Sequence, residues 1–528
     1  MPISKEMNLL RMISGGSILL WCLVVLGIGL RFYILDKKDF WMDETLTLLH
    51  VSGYNESDFR KGLITGRPIQ FREVARFQKP NPEKGPAEVL SSLACSQPEH
   101  SPLFYLCAYF WARAFSAQAA TMKCLPVLFS ILQLPCLYWL SVELFSRRLS
   151  AELSVALMAL SPLQLIYAQD LREYSLFTVA IILMTAALLR AVRNPSLPNW
   201  MLYLLCLVLG LYTSILTALI IVAHLIYLLL QDGFTRNKTL APFFSAVLMA
   251  FVLFAPWLYV LAHNLHAACY AVEWLSTPVP TYALVQGWRD FLASIFLDVS
   301  ESWPQLSNWL SIPILLLEGI AGWVIIRRGS KQATVLLTIL FAVTALALLL
   351  PDLICGGLRS LTVRYMMAIS VAVILAVACL LTPQGASNGK MRWFCWVGAF
   401  FFFSCELLSC AMIAQPNIRR TTSHLKENMA QVARILNEDP QAVLISENIG
   451  TNFGQVVALS HLVKPDLYFE VSPDPELPVL PPGFQHYYLF EPSPALLRSA
   501  SESGYCPSPV GKLDYLFLAT LPSARDKR

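Results

Sequence analysis

HSPLFYLCAYFWARAF, His100 to Phe115, decides how this chain runs through its surroundings. The stretch is apolar enough to be taken for a membrane-spanning helix. It offers only about 14 apolar residues before Arg113, and a crossing needs about 20. Charge supplies a second test. If the segment lies along the membrane surface, the spans after it fall near 123–145, 151–168, 174–191, 200–213, 214–231, 240–262, 306–326, 332–350, 361–382 and 393–414. Every loop on one side then carries positive charge: Arg147 and Arg148; Arg190 and Arg193; Arg236 and Lys238; Arg327, Arg328 and Lys331; Lys390 and Arg392. Cytoplasmic loops collect Lys and Arg in this way. The short loops of the other side hold only Arg172, Arg289, Arg359 and Arg364. Counting 100–115 as a crossing inverts the whole pattern, so the segment reads as an interfacial helix.

Composition agrees with a polytopic membrane protein. Of 528 residues, 56% are hydrophobic and 14% charged, with mean hydropathy +0.55; soluble proteins carry about 25% charged residues. The net charge of +4 is small, and nothing in it points to nucleic acid. Lys5 and Arg11 precede a first span at about 13–35, which places the N-terminus in the cytoplasm. That first apolar run is long and lacks a small-residue cleavage site, so it reads as a span rather than a cleaved signal. The boundary between the spans meeting near Tyr212 is the least defined; they form two short crossings or one hairpin. The expected fold is an all-α membrane protein of about 11 helices, with interfacial helices in a first extracytoplasmic loop over 36–122, followed by a small C-terminal α/β domain outside the membrane. The membrane domain would cover 1–414 and the soluble domain 415–528. In that tail, LKENMAQVARIL places Leu425, Met429, Val432 and Leu436 on one helical side. QAVLISE, HYYLFEP and DYLFLATL read as strands, GQVVALSHL as a helix, and the Pro-rich 471–484 as loop. The 13 cysteines form no CxxC pair and mostly lie in apolar runs as small buried hydrophobes. Cys95, Cys269, Cys355 and Cys506 fall outside the clear spans and leave a disulfide open. There is no internal repeat, P-loop, GxGxxG or zinc-ligand spacing.

Four polar clusters share the outer face in this topology. FWMDETLTLL, Phe40 to Leu49, puts Asp43 and Glu44 directly after the first span. Acids there read either as a helix cap favoured by the macrodipole or as a general base. EHSPL, Glu99 to Leu103, brings His100 to a helix start. SPLQLIYAQDLREYSLF, Ser161 to Phe177, links two apolar spans through Asp170, Arg172, Glu173 and Tyr174, more charge than a turn requires, although the trio could simply pair with itself. GGLRSLTVRYMM, Gly356 to Met367, carries Arg359 and Arg364 against the orientation rule, either snorkelling to the interface or meeting a lipid phosphate. Carboxylates, guanidinium groups and an aromatic rim on one face suit transfer from a phosphate-activated lipid. One carboxylate would take the acceptor's proton, and an Arg would stabilise the leaving lipid phosphate.

The order of these motifs resembles a known family. After the first span come WxDE (Trp41, Asp43, Glu44), H-x-P-L-x-Y (His100, Pro102, Leu103, Tyr105), SP…YAQ-acid-x-R-x-Y (Ser161, Pro162, Tyr167, Ala168, Gln169, Asp170, Arg172, Tyr174) and a late RY (Arg364, Tyr365). The set, spread over about 15–380, is similar to the GT-C fold glycosyltransferases of the protein O-mannosyltransferase and aminoarabinose-transferase superfamily, closest to bacterial and cyanobacterial family-39-like members. The resemblance implies an inverting transfer from a polyprenyl-phosphate sugar at the plasma membrane, without a nucleotide-sugar site. It implies Asp43 as the catalytic carboxylate with Glu44 in support. It also implies donor or substrate contacts from His100, Tyr105, Asp170, Arg172, Tyr174, Arg364 and Tyr365, to which the charge pattern adds Arg359. The acceptor would be a lipid, glycan or protein. Ser101 stands where the family usually has Pro, and Asp170 where relatives often carry Glu with a longer reach. No ligand set beyond the carboxylates points to a metal; no cofactor is required, and a divalent cation stays open. A transporter or flippase for a lipid-linked sugar is the competing class. It would place ionisable groups within the spans, where Glu143, Glu318 and Glu406 are the few candidates.

Overall fold

The computed structural model describes residues 15–33, 35, 40–232, 238–300, 302–383, 389–415, 429–474, 477, 484–511 and 513–520. Lys5, Arg11, Arg236, Leu425 and most of the Pro-rich stretch lie outside them. Contacts divide the chain into two compact units: Met1–Leu35, Gln97–Phe104 and Lys123–Thr422 form one; Asp36–Ser96, Tyr105–Met122 and Ser423–Arg528 form the other. These units are drawn by contacts, whereas the division at 414/415 follows composition. Composition separates apolar spans from polar tail, but the polar first loop buries its hydrophobic side chains in the same core as the tail.

Among the described residues, seven helices are long and apolar enough to cross a bilayer: Ala119–Phe145, Tyr174–Arg193, Leu240–His263, Pro304–Arg327, Lys331–Cys355, Val363–Leu380 and Gly389–Ile413. Arg148–Leu160 and Pro162–Ala168, bent by 59°, count as an eighth if taken as one crossing. The expected spans at 13–35, 200–213 and 214–231 appear as the shorter apolar helices Gly16–Phe32, Leu197–Thr213 and Thr217–Gln231. The helix Leu103–Ala114 has 12 residues, about 18 Å at 1.5 Å per residue, short of a crossing.

The 59° bend has a local cause and an unusual partner. Pro162 lacks the N–H that would bond the carbonyl of Met158, and its ring blocks continuation of the helix. The freed carbonyls are taken by Arg31, which is fully buried. Its Nη2 donates to Met158 O at 3.1 Å, one Nη1 bond goes to Ala159 O and another to Gly27 O at 2.9 Å, and Nε donates to Ser130 Oγ at 2.8 Å. Gly27 permits the approach, since a Cβ there would sit 2.4 Å from Ala159 O. Gln169 Nε2 in turn donates to Leu30 O, Arg31 O and Tyr33 O at 3.2–3.4 Å, holding the end of the first helix. An unsatisfied buried carbonyl costs about 1–3 kcal/mol. Arg31→Met should therefore lower the unfolding temperature in detergent, and adding Pro162→Ala, which returns an N–H to Met158 O, should recover part of the loss.

Among the described residues the second unit is built on a six-stranded sheet of order β1-β3-β2-β4-β6-β5, with β1 Ile69–Gln70, β2 Ala442–Glu447, β3 Tyr468–Ser472, β4 His486–Phe490, β5 Cys506–Val510 and β6 Leu513–Thr520. β2 lies parallel between β3 and β4 and is buried along its whole length, as a central parallel strand with both faces covered should be. The expected strands and helices of the tail are present. β3 and β5 were not legible, one beside the Pro-rich loop and the other interrupted by Pro507 and Pro509. β1 comes from the first loop and pairs antiparallel with β3, Ile69 opposite Phe469 and Gln70 opposite Tyr468. Around it Leu49, Phe59, Phe71 and Phe77 pack in one core with Val432, Leu444, Val456 and Phe469.

Candidate active site

In the second unit, Asp43 and Glu44 occupy the first turn of the helix Met42–Val51. Trp41 is the extended N-cap, and its backbone N–H donates to Glu44 Oε2 at 3.1 Å. Glu44, fully buried, thus closes the helix start, while Asp43 is 8% exposed. Tail residues hold this helix. Gly454, in the helix Asn452–Leu459, lies so close that a Cβ would meet Met42 Cγ at 2.2 Å. The rings of Phe40 and His461 meet at 4.7 Å, tilted by 53°. Gln78 donates to Thr45 O at 3.3 Å and accepts from His461 Nε2 at 3.2 Å. Tyr105 also belongs to this unit, edge-on to His50 at 5.5 Å.

In the membrane unit, the turn Gln169–Glu173 and the segment 97–101 bring His100, Arg172 and Glu173 together. Arg172 Nη2 lies 2.9 Å from His100 Nε2, and His100 Nδ1 lies 3.0 Å from Glu173 Oε1. A guanidinium only donates, so Nε2 faces a donor and Nδ1 faces the carboxylate, and the two contacts fix the orientation of the ring. Arg172 Nε also lies 3.5 Å from Glu173 Oε2. Ser101 Oγ donates to Leu211 O at 2.7 Å, which anchors the strand of chain carrying His100. Asp170 is buried beside the turn, its carbonyl accepting from Arg172 N at 2.7 Å, and the Tyr174 ring meets Tyr167 edge-on at 5.4 Å.

Burial pushes the Glu173 carboxyl up, but the Arg172 guanidinium and His100 outweigh it and hold it down at about 2. Burial likewise raises the neighbouring Glu99 carboxyl, with His100 opposing. Because the folded value of Glu173 lies below its usual 4.5, its charge stabilises the fold above that pH and the contribution is lost as pH falls toward about 2. The stability gap between wild type and Glu173→Gln should therefore be flat from about pH 7 to 5 and shrink below about 4.5, as read by thermal unfolding across pH.

The remaining predicted arginines lie on the loop after the helix Lys331–Cys355. Arg359 Nη1 donates to Asp352 Oδ1 at 3.1 Å and Gly356 O at 3.0 Å, and Nη2 to Ser276 Oγ at 2.7 Å. Asp352 also accepts from the backbone of Arg359 and Ser360, so this pair folds the loop. Gly357, at φ 144°, leaves room that a Cβ would take from the Arg359 guanidinium. Arg364 stands over the rings of Trp274 and Tyr365 at 5.2 and 5.7 Å, a cation–π arrangement. All 13 cysteines are free. Among the described residues no three of His, Cys, Asp and Glu gather as metal ligands.

Residues 99–260 match the family described as dolichyl-phosphate-mannose-protein mannosyltransferase. The fold matches the crystal structure of ArnT from Cupriavidus metallidurans bound to undecaprenyl phosphate, at 11% identity and TM-score 0.52 over 97% of this chain and 98% of that one. It also matches the apo state of the same protein, at 12% identity and TM-score 0.55 over 96% and 98%. The chain has the GT-C fold. No curated protein sequence matches it. The family match in this GT-C chain spans His100, Asp170, Arg172 and Glu173. Glu173 and Glu99 stood in two of the polar clusters but not among the expected donor or substrate contacts. Each adjoins one that was, Arg172 and His100, and that adjacency was the available signal. Arg31 and Lys123, both fully buried, were missed as well; each is a lone cation in an apolar helix.

Proposed function

We propose that this enzyme transfers one sugar from a polyprenyl-phosphate carrier to an acceptor hydroxyl on the extracytoplasmic side, with inversion at the anomeric carbon. The observation that carries the reading is a fold shared almost end to end with a protein whose crystal structure holds undecaprenyl phosphate. Asp43 takes the proton of the acceptor hydroxyl as its oxygen bonds to C1. The bond from C1 to the phosphate oxygen breaks, its electron pair leaves with polyprenyl phosphate, and Arg364 and Arg172 offset the charge that develops there. His100 and Glu173 keep Arg172 oriented. Glu44 holds the helix start, and Arg359 holds the loop that carries Arg364.

The test uses the full chain in lipid nanodiscs with a polyprenyl-phosphate sugar and a lipid, glycan or peptide acceptor. The expected result is free polyprenyl phosphate in step with glycosylated product, whose anomeric configuration is opposite to the donor's. Turnover only with a nucleotide sugar, or a product of retained configuration, would overturn the proposal. In sealed vesicles lacking acceptor the donor should stay in its leaflet, whereas a flippase would move it.

A further inference from the structure

A polar cavity sits one membrane thickness away from the Arg172 cluster. Glu173 adjoins the start of the helix Tyr174–Arg193, and Arg193 ends it 20 residues later, about 30 Å along the axis. There a cavity of about 280 Å³ is walled by helix ends and the turns between them, with Glu143, Arg147, Ser150, Arg193, Gln332 and Thr382 among its lining.

The charge in this cavity is unbalanced. Arg193 Nη1 meets Glu143 Oε2 at 2.7 Å, and Arg190 Nη1 meets Glu143 Oε1 at 3.4 Å. Arg193 Nη2 also takes the Glu143 carbonyl. One buried carboxylate thus answers two guanidinium groups, and Arg147 has no carboxylate partner among the described residues. The neighbouring Arg148 is different, spent on Glu152 at 2.7 Å. The floor is ordered: Ser150 Oγ donates to Thr382 Oγ1 at 3.1 Å, and Thr382 Oγ1 donates to Ala378 O at 2.7 Å. The Gln332 amide makes no hydrogen bond among the described residues. Two helices start at the rim, Arg148–Leu160 and Lys331–Cys355, so first-turn N–H groups add to the positive potential. Excess guanidinium, a spare amide and a formed cavity at the cation-rich end of the bundle match phosphate chemistry, and basic pockets between membrane helices on that side take lipid head groups.

We propose that this cavity binds a phosphate group, supplied by an anionic phospholipid of the leaflet opposite the transfer site. Arg147 and Gln332 contact the phosphate, and Arg193 stays with Glu143 and closes the wall.

The test is native mass spectrometry of the full chain released from phosphatidylcholine nanodiscs doped with phosphatidylglycerol. Wild type should retain a phosphatidylglycerol molecule, and Arg147→Gln should retain it about fivefold more weakly, the effect of one basic residue near such a surface. Arg147→Lys should recover most of the affinity. Lys331→Gln, which removes a cation on the same face whose Nζ bonds Gln231 O, should leave retention unchanged. Equal losses in Arg147→Gln and Lys331→Gln would mean diffuse surface charge and overturn the site, as would no retained anionic lipid in wild type. Displacement by inorganic phosphate at constant ionic strength would overturn the lipid source and reassign the cavity to a soluble phosphate compound.

Discussion

Asp43→Asn lowers kcat by about 10²–10⁴, the range that a general base supplies, while the chain still inserts and unfolds at the wild-type temperature. The change is isosteric and lies in the first turn of Met42–Val51. Asn also suits a helix start, so the helix has no reason to fray. What disappears is the capacity to take a proton. The loss should fall on kcat more than on KM, because the acceptor's ground-state contacts survive and the proton transfer does not. Glu44→Gln separates the two acids. Its amide oxygen can still accept from Trp41 N–H, the 3.1 Å bond that Glu44 makes now, so the enzyme should keep most of its turnover. Full transfer by Asp43→Asn would remove Asp43 from the chemistry. An equal collapse in Glu44→Gln would move the base to Glu44.

The membrane helices were legible because hydrocarbon imposes one rule: backbone groups must be satisfied within the segment. Runs of apolar residues therefore map onto helices. The limits of that legibility are equally physical. The bend at Ser161–Pro162 was visible as a proline, but Arg31 as its partner was not, because the bond joins residues 127 and 128 positions apart. The Arg172–His100–Glu173 arrangement was half legible. Its members stood in two conspicuous motifs, yet which acid would pair with which base depends on a contact across 73 positions. Arg359 and Arg364 looked alike in sequence and part ways in the structure, one bound to Asp352 and the other over aromatic rings. In the second unit, short apolar runs announced three of the tail's own strands, β2, β4 and β6, but a two-residue strand such as β1 has no periodicity to read. Its existence depends on an edge provided by residues almost 400 positions later.

Removing the tail from Ser423 onward should abolish transfer altogether, even though the tail carries none of the residues proposed to touch the substrate. The first loop folds on that tail. Leu49, Phe59, Phe71 and Phe77 are buried in a core shared with Val432, Leu444, Val456 and Phe469, and each large side chain returned to water costs about 1.5–3 kcal/mol. β1 loses the strand it pairs with, and Met42–Val51 loses the surface that sets its position. A subtler change isolates positioning from folding. Gly454→Ala adds one methyl group where Met42 Cγ stands 2.2 Å away, so the Asp43 helix must shift or Met42 must turn aside. A displacement of about 1 Å at a reacting group costs up to about 10²-fold in rate, so kcat should fall well before the unfolding temperature does. Met42→Ala in the same chain frees that space and should restore turnover, a coupling between two positions that a general loss of stability would not show. Transfer that survives tail deletion, or Gly454→Ala activity that Met42→Ala fails to rescue, would detach the tail from catalysis and leave it a separate module.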